Sequence, residues 1–517
     1  MAGVKAYQDA QNGRTLFNEG KALPGDATTA EKLAYNATKD AYTAGASDQP
    51  QRSDLNQQPG IYQDEYSDSY TDAQQKAQSG ASEAFGNSTS KVDQSTWNKA
   101  QKDAYNTGKA NAEAGFDKTK QDVTAQNNYP TGSNSGEAFD GAKAGFSDGK
   151  SGATTDLTNK TQTFINAYNA AKQEAQQAAK AGADQFNAQQ GDSADANAKD
   201  AISVAHVNGY AQAQAGYNAQ NNNNVDNGNK DTSYQSGVQT AKDVAKGSAD
   251  ALSDPSKKDS YNSGSSAQDA AYKATVNGYL DGSYGNNDNA TTTDPSQAKA
   301  YNDAYQAAKQ KGEQAATTGA SSYIAGSAKP TGSSAESLAQ QKGYQDATDG
   351  YNAATNKDAT IPTNATDAYK TGFNANKSGQ SGINDIENGT TTENVVDSAS
   401  YNKAQKAYDD ASKAISANPD SPATASDSSP VYQTAYTKAV NDLKQNYQDG
   451  TNQFVNGSNS ADTSGAKSTQ AKTQIEQGYA DVQRGFNDKI DGTTTNNANA
   501  TTQEGANMAQ KVIDSVN

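Results

Sequence analysis

Residues 342–354 read KGYQDATDGYNAA, so the pair Gly343-Tyr344 returns seven residues later as Gly350-Tyr351. Seven residues are two helical turns, and the two positions fall on one helix face with an offset of about 20°. The glycines form a second stripe, about 100° round the helix from the tyrosines. A ridge of rings beside a groove of glycine predicts a surface on which another such helix docks. A ring enters the groove and a backbone approaches over the glycines. A ligand-binding face of exposed tyrosines is the competing reading.

The spacing recurs along the chain. Aromatics stand at i and i+7 in Tyr35/Tyr42, Phe139/Phe146, Tyr210/Tyr217, Tyr272/Tyr279, Tyr344/Tyr351, Tyr401/Tyr408 and Tyr479/Phe486, each directly after Ala, Gly or Ser. A second kind of segment opens with aromatics four apart, as in Tyr62/Tyr66, Phe164/Tyr168, Tyr301/Tyr305, Tyr369/Phe373 and Tyr432/Tyr436. Three of these continue alike, with glycine at +18 and an aromatic at +22: Gly182/Phe186, Gly319/Tyr323 and Gly450/Phe454. From residue 139 the two kinds alternate, and their spacing defines a two-helix repeat of about 68 residues. Clusters such as GNNDNATTTDPS near 291 and ANPDSPATASDSSP near 424 mark the loops, with Asp, Ser and Thr before the helical runs as N-caps. The run from Trp97 to about Val123 breaks the alternation.

The predicted class is all-α: tandem two-helix repeats forming an elongated solenoid or a row of small helical bundles. The predicted segments are irregular helical repeats at 1–131, repeat pairs at 132–196, 197–256, 257–330, 331–395 and 396–463, and a partial repeat at 464–517.

Composition frames this reading. Leu, Ile, Val and Phe make up about 9% of the 517 residues, net charge is −17, and mean hydropathy is −1.00. Those values alone describe a disordered chain, and a flexible spacer with transient helix is the matching alternative. Abundant alanine, only 11 prolines, and 28 tyrosines placed in register oppose it. A core of Tyr and Ala suits such a chain, because the ring buries area while its hydroxyl stays at the wet edge.

The functional classes narrow quickly. With no cysteine there are no disulfides or thiolate metal sites, and with the single His206 imidazole chemistry nearly vanishes. The acidic balance argues against nucleic acid and anionic membranes, and no apolar run is long enough to span a bilayer. GSNSG at 132–136 superficially resembles a nucleophile elbow, but Asn134 holds the serine position. NNNNVDNGNKD carries oxygen ligands without the glycine placement of a calcium loop. His206 reads as a packed or surface residue, and Trp97 as a core ring rather than a sugar platform. No catalytic, cofactor-binding or metal-ligating residue is nominated, and the chain reads as non-enzymatic.

The repeats A-Y-x-x-A-Y-x-x-A, as in KAYNDAYQAAKQ at 299–310, and G-Y-x5-G-Y/F, with Asn/Thr/Asp loops, resemble the Ala/Tyr-rich repeat regions of large cell-wall-anchored surface proteins (adhesins) of lactic acid bacteria. The resemblance covers most of the chain and is one of style. It implies an extracellular, non-enzymatic stalk or adhesin segment that projects an adhesive tip or contributes to adhesion. The alternative is a binding module whose tyrosines contact host surface glycans or a partner protein. MAGVKAYQDA lacks a signal peptide's regions and NMAQKVIDSVN lacks a wall-sorting signal, so the chain reads as an internal piece of a larger exported protein, or as one not exported. The sequence pI of 4.6 lies near ordinary carboxylate pKa values, which predicts self-association as the charge is lost in acid.

Overall fold

The computed structural model describes residues 2–86, 91–229, 231–496 and 498–516. Lys230 and Asn497, in two of the asparagine-rich loops, and the first and last residues lie outside the described set. The all-α expectation holds: among the described residues there are sixteen α-helices, three short 3-10 turns and no strand.

In chain order the helices are α1 (Ala2–Asn18), α2 (Thr29–Ala46), α3 (Gly60–Glu83), α4 (Lys99–Gln121), α5 (Asn134–Ser151), α6 (Gln162–Asn187), α7 (Ala201–Asn221) and α8 (Thr232–Ser253). They continue as α9 (Ser266–Tyr284), α10 (Ala298–Ile324), α11 (Ala335–Ala353), α12 (Asp367–Asn388), α13 (Ser398–Ala417), α14 (Pro430–Val455), α15 (Thr469–Ile490) and α16 (Ala500–Val516). The chain divides into two compact units, Met1–Val244 with Thr293–Ala300, and Ala245–Thr292 with Tyr301–Asn517. Within each unit helices pack against their successors in the chain, and several also touch the helix two places away, as α5 does α7 and α9 does α11.

Local signals set the helix ends. Thr28 with Glu31, and Asn98 with Gln101, form reciprocal capping boxes, and Ser133, Thr161, Asp200, Ser334, Thr366 and Ser468 each accept a first-turn N–H. After α9, Gly285 takes φ 70°, and the Asn286 N–H bonds the Asp281 carbonyl at 3.0 Å. That left-handed turn ends the helix and favours glycine. The run from Trp97 is one capped helix: Trp97 precedes the Asn98 cap, and Lys99–Gln121 are α4. Trp97 packs edge-on to Tyr105 at 5.7 Å, beneath the Lys76 ammonium at 4.5 Å.

The core is alanine and tyrosine. Tyr66, Tyr272, Tyr305, Tyr408 and Tyr432 are fully buried, interleaved with buried alanines such as Ala37, Ala73, Ala171, Ala347 and Ala404. Such a core leaves little space between helices, and glycine permits the approach. Among the described residues, seven pairs of consecutive helices meet through a reciprocal contact: Gly80/Gly108, Gly182/Gly209, Gly216/Gly237, Gly319/Gly343, Gly350/Gly372, Gly450/Gly478 and Gly485/Gly505. In each pair both glycines lie on the carbonyl oxygen three residues before the partner glycine, so a Cβ at any of the fourteen would overlap that oxygen. Gly343 lies on the Ala316 carbonyl and Gly319 on that of Gln340. Such backbone proximity suits Cα–H···O contacts, worth about 0.5–1 kcal/mol each.

The two glycines of KGYQDATDGYNAA serve different neighbours. Gly343 faces α10, whereas Gly350, seven residues on, faces α12. The same division holds for Gly108 and Gly115 in α4, Gly209 and Gly216 in α7, and Gly478 and Gly485 in α15. Two glycines on one stripe, about 10 Å apart along the axis, let the preceding and following helices cross one face at different heights. Ala320, Ala347 and Ala368 from α10, α11 and α12 accordingly share one cluster.

Candidate functional site

The aromatic stripes are the most abundant candidate surface, and the structure places them between helices. The ring at +22 of the long helices wedges between the two rings of the i, i+7 pair on the next helix. Phe186 meets Tyr210 and Tyr217 at 5.6 and 5.8 Å, Tyr323 meets Tyr344 and Tyr351 at 5.3 and 5.8 Å, and Phe454 meets Tyr479 and Phe486 at 5.4 and 5.8 Å. All six contacts are edge-to-face, the arrangement favoured by ring quadrupoles. Phe17 between Tyr35 and Tyr42 is a further example. The rings four apart stack along their own helix: Tyr62 on Tyr66 at 6.0 Å, Tyr301 on Tyr305 at 6.3 Å and Tyr432 on Tyr436 at 5.9 Å. Of the 28 tyrosines only Tyr7 and Tyr284 are exposed.

Many hydroxyls end on carboxylates of adjacent helices. Tyr62 donates to Asp40 at 2.6 Å, Tyr105 to Glu83 at 2.7 Å, Tyr168 to Asp148 at 2.8 Å, Tyr305 to Asp281 at 2.7 Å, Tyr401 to Asp385 at 2.7 Å, Tyr432 to Asp410 at 2.7 Å and Tyr447 to Asp481 at 2.6 Å. Burial and the carboxylate partner push the phenol pKa of Tyr105 up to about 12. At Asp385 burial acts upward, yet hydrogen bonds from the Thr390 hydroxyl, the Tyr401 hydroxyl and Thr392 outweigh it and bring the carboxyl down to about 2. These carboxylates clip helix to helix.

The residues weighed for chemistry have structural surroundings. His206 is half-buried with Nδ1 3.1 Å from Asp192, and its carbonyl lies against Gly182. Ser133 of GSNSG caps α5 through the Gly136 N–H at 3.1 Å. In the Asn-rich loop Asp226 accepts from the Gly228 N–H at 2.9 Å. Among the described residues no three His, Cys, Asp or Glu side chains gather as a metal site, and no helix is long and apolar enough to cross a membrane.

A different feature emerges from the tandem register. Gly209, Gly343 and Gly478 stand 134 and 135 residues apart, so α5–α7, α9–α11 and α13–α15 are equivalent three-helix sets. Each set has a groove between its first and third helices. In the last set Gln474, 0% exposed, reaches across from α15 and donates to the Ser412 carbonyl at 3.0 Å and the Ser416 hydroxyl at 2.9 Å. Beside it Gln470 donates to Asp409 at 2.5 Å, and the groove is bridged.

In the middle set Ala339 stands in place of Gln474, Ala335 of Gln470, Leu280 of Asp409, Leu338 of Thr473 and Tyr284 of Lys413. The groove is open, with a cavity of about 310 Å³, and Leu280, Tyr284 and Leu338 are 43%, 48% and 48% exposed. The Lys342 ammonium sits 4.4 Å over the Tyr284 ring and pairs with Asp346. The first set, with Ala205 and Val204 at the equivalent positions, holds a cavity of about 440 Å³ edged by Lys143 and Lys150.

The aromatic spacing singles out Tyr279 and no other residue lining the α9/α11 groove. Its signal lies in departures from the repeat at matched positions, and in leucine, present only nine times in the chain. No protein-family model, no curated protein and no solved structure matches this chain.

Proposed function

We propose that this chain is a non-enzymatic structural repeat region, a stalk or adhesin segment of a bacterial surface protein, as its resemblance to Ala/Tyr-rich surface repeats implies. The observation that carries the reading is where the repeated residues go. The glycines and aromatics that recur with the repeat are used in joining one helix to the next, through the reciprocal glycine contacts and the ring wedges. A repeat that spends its side chains on its neighbours can lengthen by adding copies, with stability that grows through nearest-neighbour contacts. Variable polar loops such as 286–294 and 418–429 then need only connect helices.

Small-angle X-ray scattering of the purified chain tests the stalk. A globule of this length has a radius of gyration near 24 Å, so a clearly larger value with a rod-like cross-section is expected. A compact globular profile counts against it. Display of the chain between a wall anchor and a tip protein, scored for adhesion with and without the tip, separates a spacer from a segment that itself adheres. The binding-module reading has one specific observation in its favour, the open groove holding Tyr284.

A further inference from the structure

We propose that the groove between α9 and α11 binds a small anionic amphiphile, its apolar body seated between Leu280, Leu338 and Tyr284 and its anionic group at Lys258. This goes beyond the stalk reading and stands independently of it.

Four observations converge. The first is the coordinated exchange between equivalent grooves: where the last set has Gln474, Gln470, Asp409 and Thr473, the middle set has Ala339, Ala335, Leu280 and Leu338. The polar bridge is gone, and large apolar groups stand in its place while remaining exposed. Exposed apolar residues gathered in one concavity, on a chain with so few, mark a covered surface more than a stability device.

The second is size. Three part-exposed side chains fall far short of the roughly 800 Å² per partner that a standard protein interface buries. The cavity of about 310 Å³ instead falls at the lower end for small-molecule sites. The third is charge. Lys258 lines the groove and makes no ion pair among the described residues, whereas Lys257 is paired with Asp254 and Lys342 with Asp346. An unpaired cation on an apolar groove, in a chain of net charge −17, selects an anion attached to an apolar body. The fourth is shape: Tyr284, steadied by the Lys342 ammonium over its ring, forms a flat wall against which such a body lies.

The test uses the full chain and the fluorescent anionic amphiphile 8-anilinonaphthalene-1-sulfonate. Saturable fluorescence enhancement is expected, lost at least tenfold in Ala339→Gln, which carries the groove-filling residue of the last set. Because a buried substitution can disturb packing, exposed Leu338→Thr is the companion variant and should weaken binding several-fold with an unchanged melting temperature. Lys258→Gln should weaken the sulfonate several-fold at low salt and leave uncharged N-phenyl-1-naphthylamine unaffected. Dodecanoate below its micellar concentration should displace the probe. Enhancement unchanged in both Ala339→Gln and Leu338→Thr overturns the proposal. So does equal dependence of both probes on Lys258, or displacement by phosphatidylglycerol vesicles but not by dodecanoate, which would assign the patch to a membrane surface.

Discussion

The junction of α10 with α11 and the groove between α9 and α11 lie side by side in one three-helix set, yet they obey different rules. At the junction, backbone meets backbone: Gly343 lies on the Ala316 carbonyl, Gly319 on that of Gln340, and the same pairing recurs at α6/α7 and α14/α15. No side chain fits, so the position has one solution. Across the groove, helices two apart face each other through side chains, and three equivalent sites have three solutions: an amide bridge at Gln474, an apolar opening at Leu280 and Leu338, and a cavity edged by lysines at Lys143 and Lys150. Contacts between consecutive helices hold the repeat together, whereas contacts between alternate helices are free to diverge, and divergence is where function can be added.

Substitutions can break the comparison in order of expected effect. Gly343→Val forces α10 and α11 apart and should destabilise by about 3 kcal/mol or more, toward the upper limit for overpacking. Gly465→Ala, in open space, should stay within about 0.5 kcal/mol; both are read by urea unfolding. A tolerated Gly343→Val would sink the backbone-contact account. Tyr323→Ala removes the wedge between Tyr344 and Tyr351, and because the ring is half-buried the cost should be about 2–3 kcal/mol. Tyr323→Phe should recover most of it, since the contact is made by the ring.

Gln474→Ala breaks the bridge to Ser412 and Ser416 and should cost about 1–2 kcal/mol. The Gln470–Asp409 bridge and the polar Thr473 and Lys413 remain in that variant, so the anilinonaphthalene probe should gain no site here from the single substitution. The smallest effect is set by pH. The folded carboxyl of Asp385 lies at about 2, below its ordinary range. Its stabilising contribution is therefore complete above about pH 4 and is lost as pH falls toward 2. The melting temperature should drop across that window, and Asp385→Asn should flatten part of the drop. An unaltered profile in that variant removes Asp385 as a contributor. Light scattering at pH 4.5 and pH 7 separately tests self-association near the pI.

Much of the fold was legible because the repeat is written in residues with one structural use. Gly343-Tyr344 and Gly350-Tyr351 predicted a helix that docks over glycine, and they do so against α10 and α12. The partition of those two glycines between different neighbours was not legible, since a seven-residue spacing states the face and leaves open how many helices cross it. Trp97 to Val123 defied the alternation because α4 carries its first ring as Tyr105 and has Lys109 where α7 has Tyr210, although its glycines keep the register. The groove was illegible for a related reason. Leu280 and Leu338 are ordinary helix residues until the α9–α11 crossing brings them together, 58 residues apart in the chain.

Sequence by itself therefore determined the helices, their caps, the glycine and ring stripes, and the exclusion of thiol and most imidazole chemistry, because each depends on local geometry or on which atoms are present. Tertiary structure alone decided which neighbour each glycine meets, which rings are covered, and which of three equivalent grooves is bridged. Those outcomes depend on the distance between backbones two helices apart, and that distance is set by packing across the whole set rather than by any one segment.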